Sequence, residues 1–190
     1  MTSLPIAAGC AGLLALFSFL PSSVTPPQAA GDPHRQFDFW LGEWECFTQA
    51  GALAGTNRIE LSCGGKVLEE HWKGTGGSVG TSLNIYDAQT RRWHQTWVDA
   101  GGTLLLLDGE LQEDGAMLLE GTRPTPGGGE VLHRIVWMPE EDGEVVRQTW
   151  TSSGDEGKTW RTLADLDYRR PAPEESAEAE DAQEQGSGSR

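Results

Sequence analysis

From Glu43 onward the chain alternates apolar and polar residues in short runs, and turn formers interrupt it about every 8–12 positions. Side chains of a β-strand point alternately to opposite faces, so this pattern describes strands with one buried face. The runs fall at residues 43–49, 56–62, 66–73, 78–86, 92–99, 103–110, 115–122, 131–138, 144–152 and 159–168. Between them lie Gly74-Thr75-Gly76-Gly77, Gly101-Gly102, Pro124 to Gly129 and Asp142-Gly143. No stretch after Leu41 has a helical period. Short connections pair each strand with its sequence neighbours, and a meander that stayed open would leave two raw edges. The sequence therefore predicts an all-β fold, an up-and-down antiparallel barrel of about ten strands with a short N-terminal helix. Asp32 is the N-cap of that helix and Pro33 its first residue, with Phe37, Trp40 and Leu41 on the buried side. Ten strands enclose more space than eight, so a ligand cavity is expected inside.

The two ends of the chain read differently. Residues 1–30 carry no charge, and the apolar run from Ile6 to Leu20 is shorter than the roughly 20 residues of a membrane span. Pro21, Pro26, Pro27 and then Ala29-Ala30 follow it, the layout of a signal peptide cleaved near Ala30, with an uncleaved anchor as the alternative. Residues 171–190 hold six acids, one Arg and no aromatic or branched aliphatic residue, the composition of a disordered acidic tail. The expected organisation is a signal peptide over 1–30, a barrel over 31–170 and a tail over 171–190, in an exported protein, periplasmic or secreted. A formal charge of −15 argues against a nucleic-acid partner. No integral membrane contact is expected once the signal is removed. A hairpin about Gly51–Gly55 would put Cys46 opposite about Ile59, with Cys63 about 13 Å further along, too far for a disulfide.

Placing the more apolar parity of each strand inside gives Trp44, Cys46 and Thr48, then Ile59 and Leu61, then Leu68, Glu70 and Trp72. The fourth strand contributes Val79, Thr81, Leu83 and Ile85, and the fifth Trp93, Gln95 and Trp97. Met117 and Leu119 follow, then Val131, His133, Ile135 and Trp137, then Val146, Gln148 and Trp150. Leu104 to Leu107 is apolar on both faces and gives no parity. Three strands repeat one step, a polar residue two positions before a Trp: Glu70-x-Trp72, Gln95-x-Trp97 and Gln148-x-Trp150. An apolar wall with a few oriented polar groups is the make-up of a small-molecule pocket. The candidate pocket residues are Glu70, Trp72, Gln95, Trp97, His133, Trp137, Gln148 and Trp150. The same polar groups could instead satisfy one another as a structural core.

Ser153-Gly154-Asp155-Glu156-Gly157-Lys158-Thr159-Trp160 fits S-x-D-x-G-x-T-W and resembles the Asp-box, a hairpin-turn device of sialidases and other β-proteins. Phe37-Asp38-Phe39-Trp40-Leu41-Gly42-Glu43-Trp44-Glu45 resembles the opening of an uncharacterised family of exported bacterial proteins with a lipocalin/calycin-like barrel. Asn84-Ile85-Tyr86-Asp87 with Trp93 to Asp99, and Arg147 to Trp150 running on to Trp160, resemble the same family. The resemblance spans residues 35–170. It implies that Trp44 closes one end of the barrel and that Arg169 or Arg170 stacks over it. The haem barrels related to nitrobindin follow their Trp with a G-x-W-x-G-x-G pattern, from which Glu45-Cys46-Phe47-Thr48 departs.

The function these features point to is an exported, non-enzymatic barrel that binds a small, partly apolar molecule. The alternative is an enzyme or haem protein on the same barrel. It would use Glu70 and His133 as an acid/base pair, or His133 as haem ligand with His94 in reserve. A third reading gives the acidic tail a role in protein contacts. No His pair has metal-ligand spacing, and no nucleotide or nucleophile-elbow motif is present in the sequence.

Overall fold

The computed structural model describes residues 31–172. The segment read as a signal peptide, and the tail from residue 173 on, lie outside the described residues. Ten strands run β1 (Gly42–Thr48), β2 (Leu53–Ser62), β3 (Val67–Gly74), β4 (Val79–Asp87), β5 (Arg92–Asp99), β6 (Leu104–Leu111), β7 (Met117–Pro124), β8 (Glu130–Glu140), β9 (Val145–Ser153) and β10 (Arg161–Arg169). Each pairs antiparallel with its sequence neighbours, and β1 also pairs with β10, from Glu45↔Arg169 to Thr48↔Leu166. The meander is therefore a closed all-β barrel with no free edge.

The expected N-terminal helix is two 3₁₀ turns, Pro33–Arg35 and Asp38–Trp40, broken at Phe37 (φ −105°, ψ 8°). Asp32 does cap the first, accepting the His34 amide at 3.0 Å. The break lets Phe37 and Trp40 both drop into one end of the barrel, where neither has any exposed surface. Phe37 packs edge-on against Trp93 and Trp137, and Trp40 lies 5.3 Å from Trp137. Trp44 donates its indole N–H to the Trp40 carbonyl at 2.8 Å, tying β1 to this plug.

Arg170 covers the outside of Trp44, its guanidinium carbon 3.6 Å from the ring centroid, and bonds the Leu41 carbonyl at 2.8 Å. Gly42, at φ +115°, makes room for it, because a Cβ there would stand 2.2 Å from an Arg170 nitrogen. Of the two arginines considered for this place, Arg169 does not take it. It is outward-facing on β10 and pairs with Asp167 at 3.2 Å.

The inward faces follow the predicted parity in most strands, with β4 reversed. Val79, Leu83 and Ile85 are exposed, and Thr81 points outward with them. Gly80, Ser82 and Asn84 are the buried set. The reason is local. A Cβ on Gly80 would meet the Trp97 ring at 2.3 Å, and Ser82 and Asn84 supply hydrogen bonds that the interior needs. Leu61, at the end of β2, is also exposed rather than inward. In β6 the inward pair is Leu105 and Leu107.

Cys46 stands opposite Gly55, not Ile59, because the first hairpin turns between Thr48 and Ala52, earlier than expected, with β2 starting at Leu53 and a bulge after Cys46. Cys63 is thus eight residues further on, a strand path of about 26 Å. Both thiols are free, Cys46 buried and Cys63 exposed.

The Asp-box stretch forms the β9–β10 turn. Asp155 accepts the Thr159 amide at 2.8 Å and its hydroxyl at 2.7 Å, and Ser153 Oγ accepts the Gly157 amide at 2.8 Å. Trp160 packs outside the barrel beneath the Arg134 guanidinium. These bonds are those of a hairpin turn.

Candidate functional site

A cavity of about 160 Å³ lies inside the barrel. Its polar lining is Glu70 of β3, Gln95 of β5 and Gln148 of β9. Its aromatic lining includes Trp72, Trp97, Trp137 and Trp150. Leu105, Ile135, Leu166 and Tyr168 fill in the wall. Seven of the eight residues singled out in the sequence thus face one space, because strands of a closed barrel send one parity to a common axis.

Trp72, Trp97 and Trp150 also line a second groove, at the mouth between the β3–β4 and β5–β6 turns. These three indoles are the boundary between cavity and surface. Two are anchored by their N–H groups. Trp72 donates to Ser78 Oγ at 3.1 Å, and Trp150 donates to His133 Nδ1 at 3.1 Å. The β5–β6 turn is held by Asp99, which accepts the Gly101 and Thr103 amides at 2.8 and 3.0 Å.

His133 is the exception among the eight. It lies at the mouth end of β8, beyond Ile135, and faces a separate surface groove with Arg123 and Ser152. A Trp N–H can only donate, so Nδ1 must be an unprotonated acceptor. Burial, and then the nearby Arg123 charge, push the imidazole pKa below its ordinary value, in keeping with a neutral ring. Its structural effect is to hold Trp150 at the rim.

Glu70 sits deeper. Its two oxygens accept from Asn57 Nδ2 at 2.7 Å and Ser82 Oγ at 2.5 Å. Asn84 donates to Ser82 Oγ at 2.9 Å and accepts from Gln95 Nε2 at 2.8 Å, so a polar chain runs from β3 across β4 to β5. On the other side Asn57 reaches the Tyr168 hydroxyl at 3.4 Å. Burial raises the Glu70 pKa to about 7, against the pull of the Ser82 and Asn57 hydrogen bonds. Burial likewise pushes the Tyr168 hydroxyl and the Cys46 thiol up, so both stay neutral. Among the described residues, no hydrogen bond links the Gln148 amide to another side chain, and the buried Trp137 N–H has no partner. The Trp97 N–H is likewise without a partner among these residues, and with the spare acceptor capacity of Glu70 these are the polar groups of the lining that the barrel leaves unpaired.

Glu70 and His133 do not form the direct acid/base pair. Glu70 is bonded to Asn57 and Ser82, His133 to Trp150, and only Glu70 lines the cavity. Nor do the residues fit a haem. His133 is outside the cavity, and a space of about 160 Å³ is on the scale of the roughly 150 Å³ that holds a benzene, not a porphyrin. His94, on the outer face, is bonded to Asp108 and Thr96 at 2.8 and 2.9 Å. Among the described residues, no group of three or more His, Cys, Asp or Glu could hold a metal ion.

The sequence reading missed Asn57, Ser82, Asn84 and Tyr168. Asn57 lies inside the expected 56–62 strand and shares the parity of Ile59, so it is legible by carrying that inward face back one step. Ser82 and Asn84 sit on the parity rejected as too polar, and β10, which carries Tyr168, was given no inward face.

The sequence matches no protein-family model and no curated protein. What stands of the family resemblance is the ten-stranded antiparallel barrel itself.

Proposed function

We propose that this protein is an exported, non-enzymatic barrel that binds one small, partly apolar molecule in its interior. The observation that carries this reading is the cavity of about 160 Å³, walled by indoles and bearing Glu70, Gln95 and Gln148. Its size suits a single ring, with any longer substituent passing between Trp72, Trp97 and Trp150 into the mouth groove. The export part rests on the uncharged residues 1–30 with their apolar run from Ile6 to Leu20. The likeness to an uncharacterised exported family agrees with it.

Native mass spectrometry of protein purified gently from its own host tests both parts. A mature chain beginning near Gly31 and carrying a bound small molecule is the expected result. Ligand affinity should then fall on Trp97→Ala and Gln148→Leu, each verified as folded. Unchanged affinity in both variants would remove the cavity as the site.

A further inference from the structure

We propose that the cavity takes a small organic cation, with an ammonium group on the Glu70 carboxylate and its apolar part against the surrounding indoles. This rests on the ligand-binding reading above and narrows it to one charge class.

The central observation is a buried acid without a counter-charge. Glu70 is 3% exposed, and among the described residues no Lys, Arg or His pairs with it. Asn57 and Ser82 give it hydrogen bonds but no positive charge. Each carboxylate oxygen accepts two bonds comfortably, so capacity remains on both. A buried carboxylate in this state is costly, and a cation bound beside it removes that cost.

The rest of the wall favours the same guest. Trp72, Trp97, Trp137, Trp150 and Tyr168 line the cavity, and aromatic faces attract cations most strongly where water is excluded. An anion would meet both Glu70 and those negative faces. A net charge of −15 draws cations toward the protein as a whole.

With no other cation at hand, Glu70 holds a proton up to about pH 7, and an ammonium would displace it. The titratable groups near it are Cys46 on β1 and Tyr168 on β10, both neutral across the range tested. From β2, β4, β5, β8 and β9 it faces Asn57, Ser82, Gln95, Trp137 and Gln148, none of which titrates.

The test uses three molecules of one shape: benzylamine, benzyl alcohol and benzoate, titrated into the full-length protein and its Glu70→Gln variant by tryptophan fluorescence and calorimetry. Benzylamine should bind the wild-type protein at least tenfold more tightly than benzyl alcohol, and benzoate should not bind. In Glu70→Gln the amine should fall to the level of the alcohol. In the wild-type protein, amine affinity should rise close to tenfold from pH 6 to pH 8 as Glu70 ionises, with the alcohol little changed. Alcohol binding equal to amine, or an amine preference that survives in Glu70→Gln, would overturn the cation inference and leave the cavity reading standing. No binding by any of the three would overturn both. The wild-type ranking and pH profile decide the matter even if the variant does not fold.

Discussion

The barrel uses tryptophan at both ends, for opposite purposes. At the closed end Trp40, Trp44 and Trp93 are 0–1% exposed and packed with Phe37 into a plug, and Trp137, just as buried, joins that plug to the cavity wall. At the mouth Trp72, Trp97 and Trp150 are only half-buried and stand between the cavity and the outside. The closed end is fixed by ring-on-ring contacts and by the 3₁₀ turns that feed Phe37 and Trp40 inward. The mouth indoles Trp72 and Trp150 are instead pinned by single hydrogen bonds to Ser78 and His133. The same side chain is thus core where it is surrounded and wall where one face is left over.

The difference can be broken by truncation. Trp40→Ala should cost about 3–5 kcal/mol in urea unfolding, the usual price of a large aromatic lost from a closed core. Trp97→Ala at the mouth should cost less than half of that, while carrying the larger loss of ligand affinity. Equal costs at the two ends would erase the distinction.

Next in size is the pH dependence of stability. The Glu70 pKa is raised in the folded protein, to about 7 from 4.5. The folded state therefore binds more protons than the unfolded one between those values. Stability from this group is complete below about pH 4.5 and is lost as pH rises through 7. The loss should amount to about 3 kcal/mol, and Glu70→Gln should abolish it. Denaturation midpoints of wild type and variant, followed from pH 4 to 8, should converge at acid pH, diverge between about pH 4.5 and 7, and stay apart above neutrality in favour of the variant.

The smallest effect separates the two arginines at the closed end. Arg170→Ala removes the cation over Trp44 and the bond to Leu41, and should cost about 1 kcal/mol. Arg169→Ala loses only an exposed pair with Asp167 and should change stability by less than about 0.5 kcal/mol. A reversed order would move the stacking role to Arg169.

Much of the barrel is legible in the sequence. Strand number, most turn positions and the convergence of Glu70, Gln95, Gln148 and their paired indoles follow from alternation, which is a property of the backbone; the first hairpin, which turns before Leu53, is the exception. His133 shows where alternation stops helping. It shares the parity of Ile135 and Trp137 but stands one step nearer the mouth, and position along the axis is invisible to a two-residue period.

The sequence by itself determined that this chain closes a sheet with one indole-rich face, because a period of two and short turns leave few other solutions. Only the tertiary structure decided which face of β4 turns inward. Its apolar side went to solvent because Gly80 had to yield space to Trp97, and because Glu70 and Gln95 required Ser82 and Asn84 as partners. Hydrophobicity is summed along one strand, but hydrogen bonding and fit are settled between strands.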